Sequence, residues 1–397
     1  MAKQILEGIK ILDLTTMIAA PMAATYLAEF GADVIHVESR NHGDPMRVSG
    51  MNKDGIRLYP KLLQRNKRCI TLDLHQPEAR EQFLKLAQWA DVVLTNFRPQ
   101  ALRKFHIDYD DVVKVKPDTI YMHFSAYGRT GPNAEKPGFA RVSEAYSGLT
   151  YITGYPDRPP TLAGTWIVDG LGGIHTAYAI MLALYHKKCT GEGQLVEEGL
   201  YEPMFRILDD LPLNYSVNGV VRQRMGNMQA QVVPNNVYTS KDGHYIVLPV
   251  NGQMFERLLK AMNREDLMED PRYNTGDARL QNRELVDKTV ADWVASLTRD
   301  EVDALLNQYD VAHGPINSIK DIFEDPHFWA RESLVKVYDE ELGMDIVEPG
   351  VIPKMSKTPG EIKWNGPALG SSNDEVFLDL LKLSPEEYEA LKAKGAI

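Results

Sequence analysis

One carboxylate, Asp169, stands between an apolar stretch and a glycine cluster in the segment TWIVDGLGGIHTAYAIMLALYHKKCTGEGQ, residues 165–194. An ionised carboxylate beside packed apolar surface is unfavourable unless it is paired, hydrogen-bonded or used in a reaction. One interpretation is that Asp169 caps a helix that begins near Leu171, because Asp is preferred at helix starts. A second interpretation, that GLGG is half of a dinucleotide-binding fingerprint, fails because His175 occupies the third glycine position.

The elements that must position Asp169 alternate between strands and helices. Short apolar runs predict strands at residues 9–14, 32–38, 69–74, 91–96 and 119–128. Helical patterns lie between them at 15–31 and 77–90. This alternation predicts an α/β fold with a Rossmann-like, doubly wound parallel sheet. Ligands of such sheets bind at the carboxyl ends of the strands, here residues 15–19, 38–40, 96–99 and 125–128.

The rest of the chain predicts a second domain and a long helix. We assign residues 1–213 to the large domain, 214–236 to a linker or active-site loop, 237–325 to a smaller α+β domain, and 326–397 to a linker and a C-terminal segment that returns to the large domain. Apolar residues at helical spacing predict a core helix over 171–187; they are Ile174, Tyr178, Met181, Leu182 and Tyr185.

Composition restricts the class of protein. The 397 residues are 44% apolar and carry a formal charge of −11, which disfavours nucleic acid and anionic membranes as partners. No basic and then apolar leader opens the sequence, and no apolar run approaches the length of a membrane span, so we expect a cytoplasmic protein. Cys69 and Cys189 cannot form a disulfide framework, and the ten histidines lack ligand spacing, so we expect no metal site.

Eight segments, taken in order, resemble one family of enzymes. They are ILDLTTMIAAPMAATYLAEFGADVIHVES, NKRCITLDL, ADVVLTNFRP, SAYGRTGP, YSGL, VDGLGG, TGEGQLVEEGLYE and PGVIPKMSKTPG. Together they resemble the class III CoA-transferases of the CaiB/BaiF type, which include formyl-CoA, carnitine, bile-acid, aryl-acid and 2-hydroxy-acid CoA-transferases. The resemblance covers essentially the whole chain.

The resemblance implies that Asp169 is the nucleophile of a CoA-transferase. A carboxylate that attacks an acyl-CoA donor gives a mixed anhydride and then an aspartyl-CoA thioester, which conserves the thioester energy for a carboxylic acid acceptor. We expect the backbone N–H groups of residues 170–173, at the helix start, to stabilise the oxyanion. No tightly bound cofactor is expected, since CoA and acyl-CoA are substrates.

The resemblance also implies where CoA lies. The expected contacts, at strand ends and beside the acyl pocket, are Thr16, Met17, Ile18, Ala19, Arg40, Leu72, Asn96, Phe97, Lys104 and Leu200. The phosphates need cations, for which the candidates are Arg40, Arg68, Arg98, Arg103 and Lys104. Adenine needs an apolar slot, such as Leu72 with Phe97 or Phe105.

Three features depart from the family pattern. Ala140 and Glu144 stand where many relatives carry an acidic residue and a glutamine, and Glu144 either takes over the polar role or faces solvent. A four-glycine lid is missing; VNGQ at 250–253 is a poor substitute, which leaves another loop or 214–236 as the lid. Phe139 occupies the position of the histidine base of a related branch, the 2-methylacyl-CoA racemases.

Two rival functions therefore remain, a racemase, which Phe139 disfavours, and a CoA-binding protein without turnover. For a transferase, the apolar 16–18 segment with Met204, Phe205 and Met228 suggests a medium-sized acid such as a 2-hydroxy, aryl or betaine acid. The resemblance further implies an interlocked homodimer.

Overall fold

The computed structural model describes residues 4–397 and divides them into two compact units. Unit 1 comprises residues 4–149, 162–218 and 327–397, and unit 2 comprises residues 150–161 and 219–326. The excursion 150–161, which the sequence analysis assigns to the large domain, thus belongs to unit 2.

The strands of unit 1 form one large sheet and two small ones. They are β1 (Lys10–Leu14), β2 (Asp33–Glu38), β3 (Asn52–Lys53), β4 (Ile56–Arg57), β5 (Lys67–Thr71), β6 (Val92–Thr95), β7 (Ile120–Ser125) and β8 (Leu195–Gly199), and later β12 (Leu334–Asp339) and β13 (Met344–Pro349). Unit 2 has β9 (Asn235–Thr239), β10 (Tyr245–Pro249) and β11 (Gly314–Pro315).

The large sheet is parallel throughout, with the strand order β5, β2, β1, β6, β7, β8. Leu12 of β1 lies opposite Ile35 of β2 and Val93 of β6. Successive residues of β1 point to opposite faces, so Leu12 enters one hydrophobic core and Ile11 the other. Burial on both faces explains why the central strands are apolar nearly throughout, and the predicted fold class is confirmed.

Helices cover both faces of this sheet. In unit 1 they are α1 (Ala19–Glu29), α2 (Tyr59–Leu63), α3 (Pro77–Trp89), α4 (Pro99–Phe105), α5 (Tyr109–Val112), α6 (Ala140–Tyr146), α8 (Ile167–Thr190), α9 (Tyr201–Arg206), α10 (Leu211–Asn218) and α17 (Pro385–Ala393). The helix α7 (Leu149–Ile152) spans the first boundary between the units, and α16 (Pro326–Ala330) spans the last.

Unit 2 has its own core, built from the antiparallel sheet β9 to β11 and the helices packed against it. The helices of this unit are α11 (Gly252–Ala261), α12 (Gly276–Gln281), α13 (Arg283–Ser296), α14 (Arg299–Gln308) and α15 (Ile319–Glu324). Residues 250–253 connect β10 to α11 and form its first turn, so they are not a glycine lid.

The long helix α8 differs from its prediction in two respects. It begins at Ile167, four residues before Leu171, and the apolar residues that predicted a core face are exposed; Tyr185, for example, is 70% exposed. The buried face consists instead of small and branched residues, among them Gly172, Thr176 and Ala183. By length and composition alone α8 is able to cross a membrane, contrary to the expectation that no run approaches that length. Core helices of globular domains pass the same test, and α8 packs along α1 and the sheet.

Candidate active site

Asp169 is the third residue of α8, and its side chain is 8% exposed. Among residues 4–397 no hydrogen bond or ion pair engages its carboxylate. Burial raises the pKa of this carboxyl to about 6. The helix cap is Trp166, which makes no side-chain capping bond, so the interpretation of Asp169 as the cap is wrong. The carboxylate is thus buried, uncommitted and more basic than an ordinary aspartate.

Gly172 and Gly173 serve packing rather than the oxyanion role expected of them, whereas a Cβ at Gly170 would meet open space. A Cβ at Gly173 would lie 2.7 Å from the Ala19 carbonyl oxygen, and a Cβ at Gly172 would lie 2.7 Å from the Phe124 ring. Gly170 N–H already donates to the Trp166 carbonyl at 3.0 Å, because α8 begins earlier than predicted. The N–H groups without an intrahelical acceptor belong instead to residues 167–169.

The loop after β1 is held in a strained conformation next to the start of α1. Met17 has a φ of 72°, in the left-handed region that a methionine rarely adopts. Its N–H donates to Asp44 Oδ2 at 2.9 Å. The Asn96 side chain accepts from the Thr16 N–H at 3.0 Å and donates to the Thr16 carbonyl at 2.7 Å. Two side chains therefore fix residues 16–17: Asn96, directly after β6, and Asp44, in the segment that follows β2.

Tyr59 is a site residue that the sequence analysis missed. It packs with Met17 and Met22 around a small core of Ile18, Met46 and Leu63. Burial and the charge of Asp169 both raise the pKa of its phenol. Tyr59 lies in the five-residue helix α2 after a polar stretch, where no spacing pattern marks it.

A buried ionic network underlies the same loop. Asp13 of β1 accepts from Lys67 Nζ at 3.0 Å, pairs with His36 Nδ1 at 2.9 Å and accepts from the Thr15 N–H at 3.0 Å. Burial acts to raise the pKa of Asp13, but Lys67 and His36 together hold it well below its ordinary value. Lys67 also donates to the Pro21 carbonyl in α1 at 2.8 Å, so the network links the sheet to the helix beside Asp169.

A cavity of about 260 Å³ opens at the carboxyl edge of the sheet. Three expected CoA contacts line it, Thr16, Leu72 and Phe97, together with Phe105, which was also named for adenine. His75 lies edge-on to the Phe105 ring at 5.0 Å between centroids. A larger cavity of about 550 Å³ lies between β12 and residues 351–362 and contains none of the expected site residues.

The other expected CoA contacts occupy varied positions. Arg40 and Lys104 are exposed, and neither has a carboxylate partner in the part of the chain that the structure describes. Leu200 is buried, and its methyl would lie 3.0 Å from a Cβ at Gly172. Met17, Ile18, Ala19 and Asn96 form or hold the loop beside α8 rather than the cavity wall.

Two of the candidate phosphate ligands are already committed to carboxylates. Arg68 makes three hydrogen bonds with Asp33 and a fourth with Glu375, away from the carboxyl edge of the sheet. Arg103 pairs with Glu135 at 2.5 Å. Arg68 is therefore withdrawn as a phosphate ligand.

The two candidate histidine bases of a racemase have partners other than Asp169. Phe139 precedes α6 and is 65% exposed. His123 Nε2 lies 2.7 Å from the Phe97 carbonyl oxygen, and burial lowers the pKa of this imidazole to about 4. His175 Nδ1 lies 2.6 Å from Glu198 Oε1. Neither histidine is hydrogen-bonded to Asp169.

The arrangement places one buried carboxylate, without a hydrogen-bond or ion-pair partner among residues 4–397, at the start of a helix that packs on a doubly wound sheet. The family model for CoA-transferase family III matches residues 6–373. The chain therefore belongs to CoA-transferase family III, and the enzyme class predicted from the sequence is confirmed.

Individual relatives extend over the whole chain. A succinyl-CoA–D-citramalate CoA-transferase of Chloroflexus aurantiacus is 38% identical over 394 residues, which are 99% of this chain and 98% of that protein. The alpha subunit of a succinyl-CoA–L-malate CoA-transferase from Chloroflexus aurantiacus is 38% identical over 396 residues, 99% of this chain and 92% of that protein. A crystal structure of a CAIB/BAIF family protein from Brucella suis matches with a TM-score of 0.84 at 30% identity, covering 95% of this chain and 100% of that one.

Proposed function

We propose that this enzyme moves CoA from an acyl-CoA donor to a free carboxylic acid through a covalent intermediate on Asp169. The observation that carries the proposal is the Asp169 carboxylate itself, 8% exposed and without a partner among residues 4–397. Leaving a carboxylate buried and unpaired is costly, and a nucleophile needs that freedom. With a pKa of about 6 it is ionised at neutral pH yet more basic than an ordinary aspartate.

The reaction balances with this one nucleophile. Asp169 attacks the donor thioester, the C–S bond breaks, and CoA leaves as a thiolate with a mixed anhydride on the enzyme. The thiolate attacks the aspartyl carbonyl and releases the first acid, which leaves an aspartyl-CoA thioester. The acceptor carboxylate attacks this thioester and expels the thiolate again, and the thiolate takes the new acyl group, which regenerates Asp169. No net proton transfer is needed.

CoA is proposed to lie across the carboxyl edge of the large sheet. The apolar side chains of Leu72, Phe97 and Phe105 in the 260 Å³ cavity suit the adenine ring. Arg40 and Lys104, which have no carboxylate partner among residues 4–397, suit the phosphates. The pantetheine arm then runs past the 16–18 loop toward Asp169.

For the acids, we propose succinyl-CoA as donor and a 2-hydroxy dicarboxylic acid of four or five carbons as acceptor. The support is the pair of relatives named for succinyl-CoA with citramalate and with malate. Such an acid falls within the 2-hydroxy class expected from the sequence, whereas aryl acids and betaines have no support among these relatives.

We also propose that the enzyme is a cytoplasmic homodimer. The exposed apolar residues of α8, Ile174, Tyr178, Leu182 and Tyr185, form a surface of the kind that protein partners cover. The helix α10 also exposes large apolar side chains, those of Leu213, Tyr215 and Val217. Sedimentation velocity of the purified enzyme tests this assembly, and a monomer at micromolar concentration contradicts it.

Hydroxylamine trapping tests the proposed route. The enzyme is incubated with succinyl-CoA and hydroxylamine, and the peptide containing Asp169 is analysed by mass spectrometry. An aspartyl hydroxamate at Asp169, absent from the Asp169→Asn variant, supports the covalent route. An unmodified peptide during measurable CoA transfer contradicts it, and CoA binding without any transfer favours the binding-protein alternative.

A further inference from the structure

The chain enters α8 directly from an excursion into unit 2. It leaves unit 1 after Leu149 and returns at Leu162, five residues before α8 begins. The connecting residues 162–166 have no regular structure, and Gly164 has open space around its Cβ position. Something in unit 1 must hold this short segment if the first turn of α8 is to keep a fixed place.

One helix of unit 1, α6, holds the segment through the backbone of a single residue, Ala163. Glu144 Oε1 accepts the Ala163 N–H at 2.7 Å, and Arg141 Nη1 donates to the Ala163 carbonyl at 2.6 Å. The two side chains also pair with each other, Nη1 to Oε2 at 3.1 Å. Glu144 is 1% exposed, so it does not face solvent, and its carboxylate is fully engaged.

Arg141 also contacts the residue that caps α8. The Arg141 guanidinium lies over the Trp166 ring, 4.7 Å from the ring centroid, and Trp166 is the helix cap. Asp169 follows three residues later, on the same side of the helix. Among residues 4–397 no other hydrogen bond joins residues 162–166 to another element, so Arg141 and Glu144 provide their attachment to unit 1.

We infer that Glu144 and Arg141 are positioning residues that fix the first turn of α8, and with it the buried location of Asp169. This inference rests on the proposed function. A charge-assisted bond to the N–H and another to the carbonyl of the same residue restrain the two peptide units that meet at Ala163. Without these bonds, the segment gains freedom, Asp169 meets more water, and the nucleophile is misplaced. A displacement of about 1 Å at a reacting group costs up to about a hundredfold in rate.

The test compares Arg141→Met, Arg141→Lys and Glu144→Gln with the parent enzyme. Arg141→Met removes both the hydrogen bonds and the cation over Trp166, whereas Arg141→Lys keeps a donor within reach of Ala163. Arg80→Met is the matched control, because Arg80 likewise donates to a carbonyl, that of His106 at 3.0 Å, and lies near Asp111, at 3.9 Å. Steady-state transfer, acyl-CoA hydrolysis and the pH profile of kcat are measured for each.

We expect kcat for transfer to fall about tenfold or more in Arg141→Met while KM for acyl-CoA changes less than about twofold. The ratio of hydrolysis to transfer rises, and the acidic limb of the kcat profile moves to lower pH as Asp169 becomes more solvated. Arg141→Lys recovers part of kcat, and Glu144→Gln has a smaller effect because its amide oxygen still accepts the Ala163 N–H. Arg80→Met behaves as the parent.

Other results overturn the inference. A lowered kcat with an unmoved pH limb and an unchanged hydrolysis ratio assigns these residues a general role in stability. Kinetics equal to those of the parent in both Arg141→Met and Glu144→Gln show that the contacts of these side chains with Ala163 do not position Asp169. If Arg141→Met fails to fold, the pH limb of Arg141→Lys and Glu144→Gln decides in the same way. Hydroxamate formation in the parent enzyme keeps any of these failures distinct from failure of the proposed function.

Discussion

Two buried aspartates of unit 1 differ in what surrounds them. Asp13 has Lys67, His36 and Thr15 on its oxygens, and its pKa is held well below the ordinary value. Asp169 has none of these partners in the part of the chain that the structure describes, and burial raises its pKa to about 6. Cationic and hydrogen-bonding partners therefore make a buried carboxylate a structural anion, whereas a buried carboxylate without such partners stays reactive.

The largest expected effect is on catalysis at the unpaired aspartate. Asp169→Asn keeps the shape of the side chain and removes the nucleophile, so CoA transfer falls by at least about a thousandfold. Transfer is measured by the mass of the new thioester. Asp33→Asn, which removes an exposed partner of Arg68, retains full activity. Residual transfer above about one tenth in Asp169→Asn contradicts the assignment.

The next effect is on stability at the paired aspartate. Asp13→Asn leaves Lys67 buried without its counter-charge, so the free energy of unfolding falls by about 3–5 kcal/mol. Urea denaturation measures the change, and Asp33→Asn, with its exposed ion pair, costs less than about 1 kcal/mol. An equal loss of unfolding free energy in Asp13→Asn and Asp33→Asn contradicts the structural role of Asp13.

The pH dependence of stability has opposite signs at the two sites. Because the pKa of Asp169 is raised in the folded protein, its ionisation destabilises the fold as pH rises from the ordinary value, 3.8, through about 6. Asp169→Asn is therefore more stable than the parent by up to about 3 kcal/mol at pH 7, and the difference disappears near pH 4. Unfolding of both proteins across this range measures it, and an Asn variant that is less stable at pH 7 shows that Asp169 has a stabilising partner.

Asp13 changes the pH dependence of folding stability in the direction opposite to Asp169. Its pKa is lowered in the folded protein, so its contribution is fully present above 3.8 and is lost as pH falls through the folded value. As pH falls, the parent therefore loses the stability that ionised Asp13 contributes, whereas protonation of Asp169 stabilises the fold. The kcat for transfer, which needs ionised Asp169, falls about tenfold per unit below about pH 6.

The smallest effects concern the glycines that seat Asp169. Gly173→Ala forces a methyl against the Ala19 carbonyl and displaces α8, so both activity and stability fall, the latter by about 1–3 kcal/mol. Gly170→Ala meets open space and gains up to about 1 kcal/mol of helix stability. Thermal unfolding with parallel transfer assays separates the two, and equal effects show that helix contact with α1 is unimportant.

The sequence predicts most of the sheet because its strands are largely buried on both faces and are mostly apolar. It does not predict β8, whose segment LVEEG contains Glu197 and Glu198 and therefore lacks a continuous apolar run. The start of α8 is also mispredicted, because Trp166 is not a typical cap residue and the helix is held there by tertiary contacts. Local pattern contains no information on such contacts.

The site residues differ in the same way: the local sequence marks some of them, whereas others depend on tertiary contacts. Asp169 is recognisable because a charge beside glycines and apolar residues needs an explanation. Tyr59 is not, since a tyrosine in a short helix has ordinary sequence neighbours, and Glu144 is singled out only as a departure from the family pattern, with its role left open between a polar function and solvent exposure. The apolar stripe on α8 was assigned to the core because spacing shows that a face is apolar but not whether protein or solvent covers it.

Oxygen transfer into Asp169 tests the central claim most directly. A single turnover with succinyl-CoA and a carboxylic acid labelled with ¹⁸O in both carboxylate oxygens passes one labelled oxygen to the enzyme, because the acceptor attacks the aspartyl thioester and the thiolate then cleaves the anhydride on the acyl side. A gain of about 2 Da confined to the peptide containing Asp169 is expected. Formation of the new thioester with an unlabelled Asp169 peptide contradicts the covalent route.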